Sequence, residues 1–203
     1  GSILEKHSKL INELREIQPS KQRDIEVLVE EMKSVVKEDS NLIPFNLAHL
    51  DMFAGGMTRK EITVLGGRPG HGKTTLVINM VKGLINQGYR VMLFNREMSN
   101  TEMLKKMVVM DSRALKYGDI RRNDLSEKDK IEFDSISENM KSDYQNLIMY
   151  DNVRTLSDCL REIAKHKPDV VIDDYIQLID VQGVKEGRRF EIEKIMQEYK
   201  WIC

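Results

Sequence analysis

The residues best equipped for chemistry are the nine that read Gly67-Arg68-Pro69-Gly70-His71-Gly72-Lys73-Thr74-Thr75. Gly67, Gly72, Lys73 and Thr74 satisfy the spacing GxxxxGK[ST], a loop that wraps a chain of phosphates. Glycines let backbone N–H groups turn inward, where a Cβ would obstruct them. The helix expected from Thr74 adds its positive end to the same spot. Lys73 is expected to reach the β- and γ-phosphates, and Thr74 to offer its hydroxyl oxygen to Mg²⁺. Residues 67–75 are therefore candidate nucleotide ligands, with ATP and Mg²⁺ as the expected cofactors. A glycine-rich turn with a stray lysine would match this pattern by chance in fewer than roughly one chain of this size in a hundred.

A phosphate loop needs an acidic partner at the end of a buried strand. Val170-Val171-Ile172-Asp173-Asp174 supplies two. Adjacent strand residues point to opposite faces, so only one carboxylate can face the metal squarely. Periodicity leaves both open, as it does the blander reading of a solvated strand end. No glutamate follows Asp173 or Asp174 directly. Instead Tyr89–Asn95 (YRVMLFN) delivers Asn95-Arg96-Glu97 to the strand end where ligands gather in parallel sheets. Glu97 is placed to polarise a water attacking the γ-phosphate. Its simpler role would be to favour the dipole of the next helix. Gln182–Arg189 (QGVKEGRR) reads as a glycine-containing basic loop, and Lys185, Arg188 and Arg189 could bind phosphates electrostatically. An ordinary surface loop would look the same.

These groups need a frame. From Ile62 onward, short apolar runs alternate with amphipathic helices, which implies a parallel sheet covered on both faces. Strands are expected at Glu61–Gly66, Tyr89–Asn95, Leu147–Tyr150 and Asp169–Ile172. Helices are expected at Thr74–Asn86, ended by Gly88, from a capping box at Ser99 to about Tyr117, from about Ser126, and over Thr155–Lys165. Upstream, apolar residues at 3, 4, 10, 11, 14 and 17, and again at 25, 28, 29, 32, 35 and 36, have helical spacing broken by Pro19-Ser20. Residues 1–40 thus form a helical segment, either a cap or a linker that docks on a neighbouring subunit, and 41–203 form the α/β domain. Phe190–Cys203 reads as an amphipathic helix that stops without a Gly, Asn or Pro signal, as expected of a fragment truncated at its C-terminus. Gly1-Ser2 resembles an expression scar.

With 203 residues, 40% of them hydrophobic, there is material for one α/β core and a small appendage. A net charge of −1 gives no global attraction to nucleic acid, so any such contact must be local. Cys159 and Cys203 match no metal or disulfide framework and suggest a reducing compartment. No apolar run approaches the roughly 18 residues that span a membrane.

In order and spacing, GGRPGHGKTT, FNREMS and IDDYIQL resemble the nucleotide-binding motifs of DnaB-type replicative helicases, members of the hexameric RecA-like motors. Ile43-Pro44 and LDMFAGG (Leu50–Gly56) resemble that family's approach to its first core strand. The resemblance spans roughly Leu42 to Cys203 and implies a RecA-like P-loop core. It implies Asp174 as the metal ligand, with Asp173 second, Glu97 as catalytic base, and Gln177 as sensor of the γ-phosphate. It also places Lys185, Arg188 and Arg189 near single-stranded DNA. The implied activity is ATP-driven 5′→3′ translocation coupled to unwinding at a replication fork. The implied partners are identical subunits in a hexameric ring (one donating an arginine to its neighbour's site), a primase and a helicase loader. Departures are Asp173, where the family is usually apolar, Asn46, where glycine is common, and His71 in a variable position. Alternatives are a RecA- or KaiC-like recombination or signalling ATPase, and a nucleotide-binding adaptor that does not hydrolyse ATP. The joint presence of Glu97, Asp174 and Gln177 weighs against the adaptor. No NKxD-type guanine motif and no arginine-rich lid supports a GTPase or a small-substrate kinase.

Overall fold

The computed structural model describes residues 24–37, 42–183 and 187–202. The chain divides into one unit spanning 1–41 and another spanning 42–203. The described part of the first unit is helix α1, Ile25–Lys37. Its Ile25, Val27, Leu28, Val29 and Met32 are exposed. The helical pattern expected over 3–17 lies outside the described residues.

The second unit opens with β1 (Leu42–Ile43), which pairs antiparallel with β2 (Met57–Thr58) on either side of helix α2 (Ala48–Ala54). Asp51 ties this entry together, its carboxylate accepting the N–H of Phe45 at 2.6 Å and of Leu47 at 3.0 Å. Asn46 adopts φ 61°. This is the left-handed region, natural for glycine and best tolerated otherwise by asparagine. An asparagine can therefore stand where the resemblance leads one to expect glycine. The side chain in turn demands a bare helix opposite: a Cβ at Gly83 would collide with that of Asn46.

Three parallel strands form the main sheet, in the order β4 (Leu147–Tyr150), β3 (Val91–Asn95), β5 (Val170–Asp174). Every residue of the central strand is buried, as the unbroken apolar run VMLF requires of a strand covered on both faces. On one face Val91, Leu93 and Val170 join a core with residues of α3 (Lys73–Asn86), α4 (Asn100–Asp111), α5 (Tyr117–Arg122) and α6 (Glu127–Asp143). On the other, Met92 and Phe94 meet Cys159 and Ile163 of α7 (Leu156–His166) and Tyr199 of α8 (Arg188–Ile202). Ser99, Ser126 and Thr155 cap α4, α6 and α7, each accepting the N–H of the residue three positions on.

Two expectations are corrected. The helix expected from Ser99 to Tyr117 stops at Asp111, because the Ser112 hydroxyl accepts the N–H groups of Ala114 and Leu115 and turns the backbone out of the helix. Glu61–Gly66 is not a strand; residues 61–68 are irregular, with Val64 67% and Leu65 46% exposed. A strand exists only as a member of a ladder. Among the described residues none pairs with this stretch, and β5 is the edge of its sheet.

Candidate nucleotide site

The phosphate loop lies between this irregular stretch and α3. Gly70 (φ 79°) and Gly72 (φ 80°) take left-handed conformations that reverse the chain. A Cβ on Gly67 would crowd Lys73 Cγ at 3.2 Å. The His71 N–H donates to the Arg68 carbonyl at 3.3 Å. Arg68, Pro69, His71 and Thr75 are exposed. Gly72 precedes α3 without a side-chain cap, so the first-turn N–H groups have no side-chain acceptor competing with an anion. Lys73 folds back over the loop, its Nζ donating to the carbonyls of Gly67 at 2.9 Å and Arg68 at 3.1 Å.

The sheet brings the acidic partner to this loop. Thr74 Oγ1 donates to Asp174 Oδ2 at 3.1 Å across 100 residues of sequence. Asp174 is 6% exposed. Burial raises its pKa against the Thr74 hydrogen bond, the Glu97 carboxylate pushes it further up, and Lys73 pulls it back. Lys73, Thr74, Glu97 and Asp174 therefore share one electrostatic neighbourhood. The Arg96 N–H donates to the Asp174 carbonyl at 2.9 Å, carrying the β3–β5 ladder one residue past Asn95. Glu97 emerges there, exposed, beside the loop's acidic partner. A hydroxyl and a carboxylate in contact are hard oxygen donors. They fit Mg²⁺, which takes one or two protein oxygens and completes its shell with phosphates and water.

Asp173 faces the other way, which removes it as a second choice for the metal. The Arg96 guanidinium grips it with Nε–Oδ1 and Nη2–Oδ2 both at 2.7 Å, and the Tyr199 hydroxyl donates to Oδ2 at 2.7 Å. Arg96 also donates to the Val153 carbonyl and, at 3.1 Å, to Cys159 Sγ, and it lies 5.4 Å over the Phe94 ring. The two side chains are 1% and 4% exposed. Burial works against the Arg96 charge, but the bonded Asp173 carboxylate outweighs it and raises the pKa. Burial and the same carboxylate hold the Tyr199 phenol protonated far above its ordinary range. Sequence reasoning missed Arg96. The available signal was a charge at position 173, where the resemblance leads one to expect an apolar residue, since a buried charge requires a partner.

The remaining candidates lie farther out. Gln177 is exposed in a 3₁₀ turn, Ile176–Leu178, just after β5. Arg188 is not a loop residue. It opens α8 and donates to the carbonyls of Ile179 at 3.0 Å and Ile176 at 3.2 Å, while also pairing with Glu191. It anchors the helix rather than presenting a free cation. Arg189 is exposed in the first turn of α8, and Lys185 lies outside the described residues. Sequence reasoning also passed over Asn95, which is fully buried with neither side-chain amide atom hydrogen-bonded.

A family model described as the DnaB-like helicase C terminal domain matches residues 43–203. The replicative DNA helicase DnaB of Helicobacter pylori strain J99 is 28% identical over 169 residues, covering 79% of this chain and 34% of its own length. A probable plasmid replicative DNA helicase of Chlamydia psittaci is 29% identical over 171 residues, covering 79% of this chain and 36% of its own. The chain thus spans about a third of the length of these curated relatives. Among solved structures, one described as an ATPase domain aligns with a TM-score of 0.74 at 21% identity, over 90% of this chain and 67% of that one. A DnaB-like replicative helicase, solved in a study of its interactions with primase, aligns with a TM-score of 0.71 at 21% identity, over 96% and 48% of the two chains.

Proposed function

The chain belongs to the DnaB-like helicase C-terminal domain family, and from that premise we propose that it is the ATP-hydrolysing motor of a replicative DNA helicase. The fold is the RecA-like core of helicase ATPase domains. What carries the proposal is the convergence of Lys73, Thr74, Glu97 and Asp174 on one end of the sheet, with Thr74 and Asp174 at 3.1 Å.

The residues divide the work. The loop 67–72 and the first turn of α3 receive the phosphate chain on backbone N–H groups. Lys73 exchanges the Gly67 and Arg68 carbonyls for phosphate oxygens, which neutralises charge without a large chain movement. Thr74 and Asp174 would hold Mg²⁺, which when bound would offset negative charge on the phosphate chain. Glu97 takes a proton from water as its oxygen bonds to the γ-phosphorus, and the bond to the bridging oxygen breaks with its electrons leaving on ADP. Gln177, just beyond Asp174, would sense the γ-phosphate. Residues 1–40 would act as a linker to a neighbouring subunit in a ring, where that neighbour supplies an arginine to the site. Arg189 and Lys185 would meet single-stranded DNA, with Arg188 holding the start of α8 in place. Primase and a helicase loader are the further partners this reading carries, in a cytoplasmic setting.

The test is ATP hydrolysis and unwinding of a forked duplex by the intact protein, with and without single-stranded DNA, beside Glu97→Gln. Hydrolysis stimulated by DNA and abolished in the variant is the expected result. Slow turnover indifferent to DNA would favour an adaptor instead. Filament formation on single strands without unwinding would favour a recombination ATPase.

A further inference from the structure

Asn95 is the last residue of β3 and lies opposite Asp174 in the β3–β5 register. Strand alternation sets its direction. Val91 and Leu93 point into the core shared with α3 and α4, as does Val170 of β5, whereas Met92 and Phe94 point into the opposite core. Asn95 and Asp174 continue the first series, so both side chains stand on the face that carries the phosphate loop. Thr74 reaching Asp174 confirms that direction for the carboxylate.

The Asn95 side chain is 0% exposed, and neither its amide nitrogen nor its amide oxygen has a hydrogen-bond partner. A carboxamide offers two N–H donors and an acceptor oxygen. Burying all of these unbonded is unfavourable, and native proteins rarely do so outside functional sites. The positions before it on that face, Val91 and Leu93, are apolar and fully buried. A leucine would fill position 95 and leave no polar atom unbonded. The polar group sits where the core gives way to the acidic end of the sheet, two residues before Glu97.

We propose that Asn95 is a further catalytic residue, its amide, which no water reaches in this structure, turning out of the core when nucleotide binds to hold the water that Glu97 deprotonates. This rests on the hydrolytic reading of the same site. Asn95 exchanges no proton. Its amide oxygen accepts one O–H of the water or its N–H₂ donates to the water oxygen, while the other O–H is directed to Glu97. That proton passes to the Glu97 carboxylate as the water oxygen bonds to the γ-phosphorus and ADP departs. Fixing a reactant in this way acts on the chemical step and leaves nucleotide binding alone.

The experiment compares wild type with Asn95→Leu, Asn95→Ser and Glu97→Gln in the intact protein, reading kcat, KM for ATP, binding of a fluorescent non-hydrolysable ATP analogue, and Tm. Asn95→Leu should lower kcat by about 10- to 100-fold, leave KM and analogue binding within about twofold, and leave Tm equal or higher. Asn95→Ser, which keeps a hydroxyl for water, should recover part of kcat. A residue that merely supports the strand would lose Tm and activity together. Unchanged kcat in Asn95→Leu, or a fall in kcat matched by lost analogue binding, overturns the proposal. If Glu97→Gln also hydrolyses ATP normally, the hydrolytic reading falls with it; if Glu97→Gln is dead while Asn95→Leu is active, only the Asn95 assignment fails.

Discussion

Asp173 and Asp174 are neighbours in sequence and opposites in circumstance. Asp173 is sealed under α7 and α8 with a bidentate arginine and a phenol for partners. Asp174 has one weak partner, the Thr74 hydroxyl, and a second carboxylate, Glu97, within electrostatic range. One carboxylate is satisfied by the protein itself. The other is left wanting, its pKa raised by burial and by Glu97 despite the Thr74 hydrogen bond and Lys73. The contrast shows that a functional acid is recognised by what its surroundings withhold, since residue type, strand and position in the sheet are nearly the same for both.

The comparison breaks first, and most visibly, on activity. Asp174→Ala should lower ATP hydrolysis by roughly a thousandfold or more, equivalent to about 4 kcal/mol in the barrier. Steady-state turnover with saturating Mg²⁺-ATP checks it. Retained turnover would mean that the acid facing Thr74 is not the one that matters. Asp173→Ala should act on stability instead, costing about 3–5 kcal/mol because it strands the Arg96 charge in the interior. Chemical denaturation of the intact protein measures this. Replacing both partners, Arg96→Leu with Asp173→Ile, should recover most but not all of that loss, because the Tyr199 hydroxyl is left without its acceptor.

How much of this was legible in advance depends on how local the cause is. Ser99, Ser126 and Thr155 announced their helices because a cap needs only its own first turn. The phosphate loop and its lysine were legible for the same reason. The choice between Asp173 and Asp174 was open to pattern reading, because adjacent strand residues swap faces and nothing nearby says which face is which. It was the family resemblance that favoured Asp174. Arg96 lies 77 positions from Asp173, so only the β3–β5 register reveals the pair. Glu61–Gly66 failed in the other direction. Its β-branched, apolar composition suits a strand, but strand formation depends on a neighbour that composition cannot supply. Asn95 went unnoticed because an asparagine at a strand end is ordinary; its burial without a partner is not.

A smaller effect sharpens the satisfied side. Tyr199→Phe keeps the ring in its core and removes one of the three hydrogen bonds on Asp173. The loss should be about 1–2 kcal/mol, in the range for a bond to a charged acceptor. It should leave turnover unaffected if this network is structural. A large fall in kcat with unchanged stability would blur the division between the two aspartates.

The smallest effect concerns the unsatisfied side, and its sign is the informative part. Burial and Glu97 raise the Asp174 pKa in the folded chain. The folded chain therefore binds this proton more tightly than the unfolded chain does, and the resulting contribution to stability is present below the ordinary carboxylate pKa and lost as pH rises through the raised one. Asp174→Asn removes that loss, since the amide has no proton to surrender. In Mg²⁺- and nucleotide-free protein, the variant's Tm should exceed wild type at pH 7, with the gap shrinking as pH falls into the ordinary carboxylate range. Adding Mg²⁺-ATP should reverse the order, because only the wild-type carboxylate gains from the bound cation, and ligand binding raises apparent stability in proportion to affinity. Thermal melts at several pH values, with and without Mg²⁺-ATP, read both signs. A gap that does not change with pH would mean Asp174 is as well satisfied as Asp173, and the distinction between the two carboxylates would no longer stand.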